Sequence, residues 1–291
     1  MALDMAATAT GVELSRNRTR RAGRPGPLVI TAMLIIAVAV LLALLGTWLT
    51  PYSPTAQDPA LSITGPSGSH FLGTDNLGRD VLSRLIAGAG TSLLAPLLVV
   101  IGTDLIGVSL GLIAGYYGRA VDMCVSRVAD LVYSLPGLLI AVVVVGISGG
   151  NYWLAIVVLI ILLFPGSFRV IRATSLVQAR LPYVEAARAL GLPRRRIILR
   201  HVLPNVAPNV IASVMLDFVG ALLIFSALAF LGLGVNPDGV SWGSMIAEGQ
   251  GVIFQNPLLA LAPALLIVAT ATSVTILGDW AYDRMLAARE L

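Results

Sequence analysis

Uninterrupted apolar blocks, each about as long as a bilayer is thick, constrain this chain more than anything else. The first, Leu28 to Leu49, carries no charged residue. At about 1.5 Å of rise per helical residue it spans roughly the 30 Å hydrocarbon core. Similar blocks follow at about 91–115, 131–148, 152–171, 206–231 and 258–278. Backbone inside lipid must satisfy its own hydrogen bonds, so blocks of this length fold as helices. The expected architecture is all-α and integral to the membrane, with six transmembrane helices. Composition agrees: 57% of the 291 residues are hydrophobic and 12% charged, against about 25% charged in a typical soluble domain. The first block is too long for an ordinary signal-peptide core and lacks a clear small-x-small cleavage site, so it reads as an uncleaved helix.

Arginine sets the orientation. All 19 basic residues are Arg. With the N-terminus in the cytoplasm, 17 of the 19 fall inside and only Arg79 and Arg84 outside, a strong positive-inside bias. The chain then divides into a cytoplasmic tail (1–27), a first helix (28–49), an extracytoplasmic loop (50–90), a core (91–281) interrupted by a cytoplasmic segment at 172–205, and a cytoplasmic C-terminal tail (282–291). Residues 232–257 lie outside. The net charge of +4 is sorted by membrane side and is no nucleic-acid footprint. Cys124 is the sole cysteine, which excludes an internal disulfide.

Gly107, Gly111 and Gly115 recur every four residues, so they line one face of the second span, where small residues allow backbones to approach. Pro96, Pro136 and Pro165 each remove a helical hydrogen bond and are expected to kink their spans.

The segment 172–205 reads as two short helices with a break. Pro182 suits the start of the first, Gly191 the left-handed residue just past its end, Pro193 the start of the second and Pro204 its exit. Ala186, Ala187 and Leu190 are placed on one face, small enough for a partner groove to approach. Arg194, Arg195, Arg196 and Arg200 can meet carboxylates or lipid phosphates. Either a docked cytoplasmic partner or simple attachment to anionic lipid would use such a loop. His201 belongs to the loop's fold and is not read as a metal ligand.

Outside, Gly73 to Asp80 precede the second span. Asp75, Arg79 and Asp80 can pair locally, as a self-supporting helix entry or as a surface for a partner; Trp242 poses the same choice, or anchors at the membrane interface. Asp104 and Asp217 lie within apolar spans, where carboxyl groups are costly and mark pathways or hydrogen-bonded sites. Asp130 is assigned to Arg127 and His70 to solvent. No spaced metal-ligand set and no phosphate-cradling G-x4-G-K-[ST] loop occurs in the sequence. A nucleotide used by this system is therefore bound by another chain.

Several of these blocks carry a resemblance. Glu185-Ala186-Ala187 with Gly191, followed by His201-Val202-Leu203-Pro204, resembles the E-A-A-x3-G-x9-h-x-L-P loop of permease subunits of binding-protein-dependent ABC importers. Gly73-Thr74-Asp75-Asn76-Leu77-Gly78-Arg79-Asp80 is similar to the G-T-D-x-x-G-R-D motif of the C-type permease of dipeptide and oligopeptide importers. Ala114 to Gly118, Phe230 to Gly234, Ser241-Trp242-Gly243 and Leu277-Gly278-Asp279 match further blocks in the same order. Where the family often has Glu, this chain has Phe225; where it often has Asn, Thr275. The usual D-P-R-like ending is absent after Met285.

The resemblance implies a type I ABC importer permease fold in a bacterial inner membrane, both termini cytoplasmic. It implies a heterodimer with a homologous B-type permease, two ABC ATPase subunits or domains, and an extracytoplasmic binding protein that delivers dipeptides or oligopeptides. ATP and Mg would be held by the ATPases, with no cofactor and no enzymatic activity in this chain. The coupling contact would use Glu185, Ala186, Ala187, Leu190, Gly191, Arg194, Arg195, His201, Leu203 and Pro204. The path would involve Asp104, Asp217 and Phe225, and the binding-protein contact Asp75, Arg79, Asp80 and Trp242. Nickel chelate, glutathione or haem are alternative cargoes in the same family. An ion-coupled secondary transporter is the alternative class, supported only by the two intramembrane Asp residues.

Overall fold

The computed structural model describes residues 25–234 and 239–288. Five arginines assigned above to the N-terminal tail, and Arg289, lie outside the described residues. The described chain is helical, with one isolated bridge between Thr74 and Asp80. In order the elements are α1 (Pro27–Leu49), a 3-10 turn (Pro59–Leu61), α2 (Val81–Tyr117), α3 (Arg119–Tyr133), α4 (Gly137–Ile147), α5 (Tyr152–Gln178), α6 (Pro182–Ala189), α7 (Arg194–Ile197), a π turn (Ile198–Val202), α8 (Leu203–Phe230), α9 (Trp242–Gln250) and α10 (Leu258–Ala287).

Three boundaries differ from the sequence reading. α2 begins at Val81, well before the apolar block, because the Asp80 carboxylate caps it and accepts from the Ser83 N–H at 2.8 Å. Pro204 does not close a second short helix: α7, the π turn and α8 form one continuous helix, Arg194–Phe230. Pro204 and Pro208 lack the N–H groups that would reach back four residues, and the ladder widens to a π turn just before them rather than breaking. α10 runs to Ala287, taking up much of the expected C-terminal tail.

The largest correction concerns the third span, expected as a single helix over 131–148. It is instead α3 and α4, bent by 73° at Ser134–Pro136. Pro136 N-caps α4, whereas Pro96 and Pro165 sit inside continuous helices. α4 has 11 residues, about 16 Å of helix and so roughly half the hydrocarbon thickness. By length and composition five helices can cross a membrane, or six if the bent pair counts as one.

Packing decides between five and six. A Cβ on Gly107 would meet Ser167, one on Gly111 would meet Ile171, and one on Gly115 would meet Ser175. Both partners advance along their chains together, so α2 and α5 are parallel neighbours. The chain must recross the bilayer between them, and only α3 and α4 intervene. The bent pair therefore completes a crossing, giving six. The glycine stripe does what its spacing predicts: it brings two backbones together where lipid supplies no hydrophobic drive for helix association.

Four apolar clusters follow from this arrangement among the described residues, the smallest joining α3 to α2 and α5 around Ala129 and Phe168. One lies among α2, α4, α5 and α8 around Val99, Leu159 and Leu228. A second joins the ends of α2 and α5 and the start of α8 to α6 and α7. A third packs α9 against α2, α8 and α10 around Trp242 and Met245.

A substitution at the seam tests it. An added Cβ at Gly111 would lie 2.9 Å from Ile171 Cβ and 3.0 Å from the backbone of Phe168 and Arg172, and backbone cannot swing away. Gly111→Leu is expected to abolish the monodisperse folded protein. Gly146→Ala, with nothing within 4 Å of the new Cβ, should be neutral or stabilising by about 0.5–1 kcal/mol. Size-exclusion profiles and thermal melts in detergent report both outcomes.

Candidate functional site

The loop expected on the cytoplasmic side is built from α6 outward. Pro182 occupies the start of α6 and Glu185 its first turn, where a missing donor is harmless and a carboxylate favours the helix dipole. Gly191 has φ +75°. Its N–H donates to the Arg188 carbonyl at 3.0 Å, and the Leu192 N–H to the Ala187 carbonyl at 3.2 Å. This pair of bonds is the Schellman termination expected of a glycine at that position. A Cβ there would meet nothing within 4 Å, so the demand for glycine is conformational, not steric.

One expected face is wrong. Ala187 does not share an outer surface with Ala186 and Leu190: it is 5% exposed and packs with Val184, Ile171, Ala179, Ile197 and Val202. Val184 and Ala187, three residues apart, form the inner stripe of α6. Glu185, Ala186 and Leu190 are exposed, Leu190 at 81%. Leu203 also packs against this inner cluster. Tyr183 and Asn205 close the loop: Tyr183 Oη donates to Gln178 Oε1 at 2.8 Å, and Asn205 Nδ2 donates to the His201 carbonyl at 2.7 Å. His201 thus serves the loop through its backbone. Pro204 stands at the helix start just after it. Arg194, Arg195 and Arg196 crowd the first turn of a long helix, where positive charge opposes the dipole; Arg194 lies over the Tyr117 ring at 5.4 Å.

On the opposite side of the membrane, the acidic and basic residues before α2 form an internal brace. Asp75 accepts from the N–H groups of Leu77 and Arg79, both at 2.9 Å, and from Arg79 Nε at 2.6 Å. It also pairs with Arg84, which in turn grips Glu248 of α9. Burial raises the Asp75 carboxyl, but the Arg79 N–H, the Arg84 charge and the Leu77 N–H outweigh it and hold the group below the usual carboxylate range. Asp80 caps α2 and bonds His70 Nδ1 at 2.9 Å, so His70 is not a solvated loop residue. Trp242 is fully buried and donates from Nε1 to the Leu85 carbonyl at 3.0 Å; it anchors α9 to α2, not the chain to the interface. Asp75, Asp80 and Trp242 therefore lie beneath any partner surface, with Arg79 partly exposed at its edge.

Within the membrane, Asp104 accepts from Ser167 Oγ at 2.6 Å and Asp217 from Ser213 Oγ at 3.2 Å. Both carboxyl groups are thus hydrogen-bonded to serine hydroxyls inside the bundle, Asp104 from α2 to α5 and Asp217 within α8. Phe225 lines no open path: it is 4% exposed and packs edge-on against Tyr152. Asp130 pairs with Arg169 at 2.7 Å, not with Arg127. Among the described residues no group of acidic, His or Cys side chains could hold a metal. A cavity of about 910 Å³ opens between α1, α2 and the start of α5; it is walled by residues such as Leu44, Leu94 and Trp153 and contains no charged side chain.

Sequence reading missed Glu248 and Asn256. Glu248 holds both external arginines, Arg79 and Arg84, and Asn256 donates to the carbonyls of Leu72 and Thr74. Two arginines on the sparsely charged outer side implied acidic partners, but spacing could not say which acid came near.

The comparisons agree with this geometry. The family described as binding-protein-dependent transport system inner membrane component matches residues 107–287. A dipeptide transport system permease protein of Alkalihalophilus pseudofirmus is 34% identical, over 89% of this chain and 85% of the relative. A glutathione transport system permease protein of Pectobacterium atrosepticum is 33% identical, over 88% and 85%. An inward-facing crystal form of the MetNI methionine ABC transporter superposes with a TM-score of 0.57 at 20% identity, over 67% of this chain and 93% of that one, and so shares the fold. The chain belongs to the binding-protein-dependent transport system inner-membrane component family and is a permease subunit of an ABC importer.

Proposed function

We propose that this permease takes up dipeptides or short peptides, and that the outer face of the 182–204 loop is where a cytoplasmic ATPase docks. The observation that carries the reading is the division of α6 into two faces. Its inner stripe, Val184 and Ala187, is locked into a cluster with α2, α5 and α8, so moving α6 moves three spans. Its outer stripe, with Glu185, Ala186 and Leu190, is exposed among the described residues. The three arginines at the start of α7 work against their own helix dipole, which favours a role outside the chain's own stability. ATP closes the ATPase pair, the loop carries that motion to the bundle, and the ATPases supply the free energy that separates the two transport states.

Further parts of the reading follow from it. A homologous second permease completes the path, and an extracytoplasmic binding protein delivers cargo to the face above the Asp75–Arg84–Glu248 brace. That brace holds Asn76 and Leu77 at the surface. Peptide as cargo is supported by the relatives' names, since glutathione is itself a tripeptide. Cargo choice lies mainly in the binding protein, because the large cavity offers no charged group for a peptide terminus. Both termini are cytoplasmic, as the arginine bias favours.

Three outcomes test these points. Cysteines introduced at Ser67 and Arg194, both exposed, in a chain lacking Cys124, should react differently in intact cells. An impermeant thiol reagent should label position 67 alone; labelling only at 194 would invert the orientation. Calorimetry on the purified permease pair without binding protein should give no submicromolar selective peptide binding, and finding such binding would move cargo choice into the permease. Leu190→Glu puts a charge on the outer stripe without touching the inner cluster, so membrane levels should stay normal while bound ATPase and peptide uptake are lost. Ala187→Glu should instead reduce folded protein, because it buries a charge. Retention of ATPase and uptake by Leu190→Glu would reduce the loop to a basic connector.

A further inference from the structure

A second cavity, about 360 Å³, lies at the root of α6, walled by residues of the α2–α3 junction, the end of α5 and α6 itself. Three guanidinium groups line it: Arg119 from α3, Arg180 from the α5–α6 link and Arg188 from α6. Its one acidic side chain, Asp122, is already held by Arg172 through both carboxylate oxygens and accepts from Ser126 Oγ at 3.2 Å. Arg188 lies over the Tyr116 ring at 4.7 Å and donates to Tyr116 Oη and the Ala179 carbonyl, both at 3.3 Å. Arg119 and Arg180 have no carboxylate partner among the described residues. Arg119 also adopts φ +47°, a strained choice for a residue with a Cβ, and this places a third cation at the mouth of the cavity.

We infer that this cavity binds a phosphate group, and that the ligand is the headgroup of an anionic lipid in the cytoplasmic leaflet. Three arginines lining one cavity beside a neutralised carboxylate match the charge of a phosphate oxyanion, and guanidinium is the side chain best suited to phosphate oxygens. The cavity's position selects the lipid source. It sits where α2 and α5 end, beside Tyr116 and Tyr117, the residue type expected at headgroup depth. The neighbouring α3 exposes Met123, Val128 and Leu131, an apolar surface that the acyl chains beside such a headgroup would cover. A phosphate held here would tie α6 to α3 and offset repulsion among the three arginines. The binding claim stands alone; its consequence for transport, a dependence of uptake on anionic lipid, rests on the coupling reading above.

The test uses the permease purified from membranes with its partners. Native mass spectrometry after exchange into phosphatidylglycerol or phosphatidylcholine should show retained phosphatidylglycerol and no retained phosphatidylcholine. The double variant Arg119→Gln, Arg180→Gln should retain at least about tenfold less phosphatidylglycerol, as expected for loss of two charge-assisted contacts. Arg180→Lys, with its charge kept, should fall between. Added inorganic phosphate at millimolar concentration should not displace the lipid; if it does, and binds alone, the cavity takes a soluble phosphate and the lipid assignment is lost. Equal retention by wild type and double variant overturns the site. So does an unchanged lipid content accompanied by loss of the ATPase, which would make the cavity a socket for a partner's carboxylate. Lipid retention is read without transport, so failure of the coupling reading would not be mistaken for failure of this site.

Discussion

The close approach of α2 and α5 is the contact on which the rest depends. Three glycines on one helix meet Ser167, Ile171 and Ser175 on the other, and no larger residue on α2 would leave room. Because the seam is parallel, it forces the chain to recross between the two helices. It also brings the end of α5 beside the end of α2, and so decides where α6 begins. The small-residue seam is thus the origin of both the recrossing between α2 and α5 and the position of the 182–204 loop.

The two ends of the bundle are then secured by different physics. Outside, Asp75, Arg79, Arg84 and Glu248 form a network in which Arg84 is almost wholly buried. Breaking one partner of such a buried pair leaves an uncompensated charge, which costs about 3–5 kcal/mol. Inside, α6 and α7 are held by apolar packing, from Val184 and Ala187 through Ile197 to Val202. An apolar cluster transmits displacement without specifying a direction, while its outer surface stays free for charge. This division suits the docking role proposed for the loop, rigid toward the bundle and exposed on its outer surface.

Much of the fold was legible in the sequence. Apolar block length marks a span because lipid leaves the backbone no other donors or acceptors. A glycine after α6 marks its end because only glycine enters the left-handed region at no steric cost. The glycine stripe announced a helix contact, though not its partner. Side-chain roles were less legible. Ala186, Ala187 and Leu190 look alike in sequence, yet only Ala187 turns inward, since the face is chosen by what α2, α5 and α8 present. Asp130 has Arg127 nearby in sequence, but Arg169 arrives on the neighbouring helix and takes it. Trp242 has the composition of an interface anchor, but a short helix folds back and buries it.

The sequence by itself determined the class of protein, the apolar blocks that become spans, the arginine asymmetry between the two ends and the helix stops in the 182–204 loop. These are local or summed quantities: block length, charge per segment and backbone freedom at single residues. Only the tertiary structure decided the bond from Ser167 to Asp104, the grip of Glu248 on Arg84 and the gathering of Arg119, Arg180 and Arg188 around one cavity. Each joins groups on separate elements, and Arg84 and Glu248 are 164 residues apart. Such contacts depend on how helices pack in three dimensions, which no local pattern in the chain encodes.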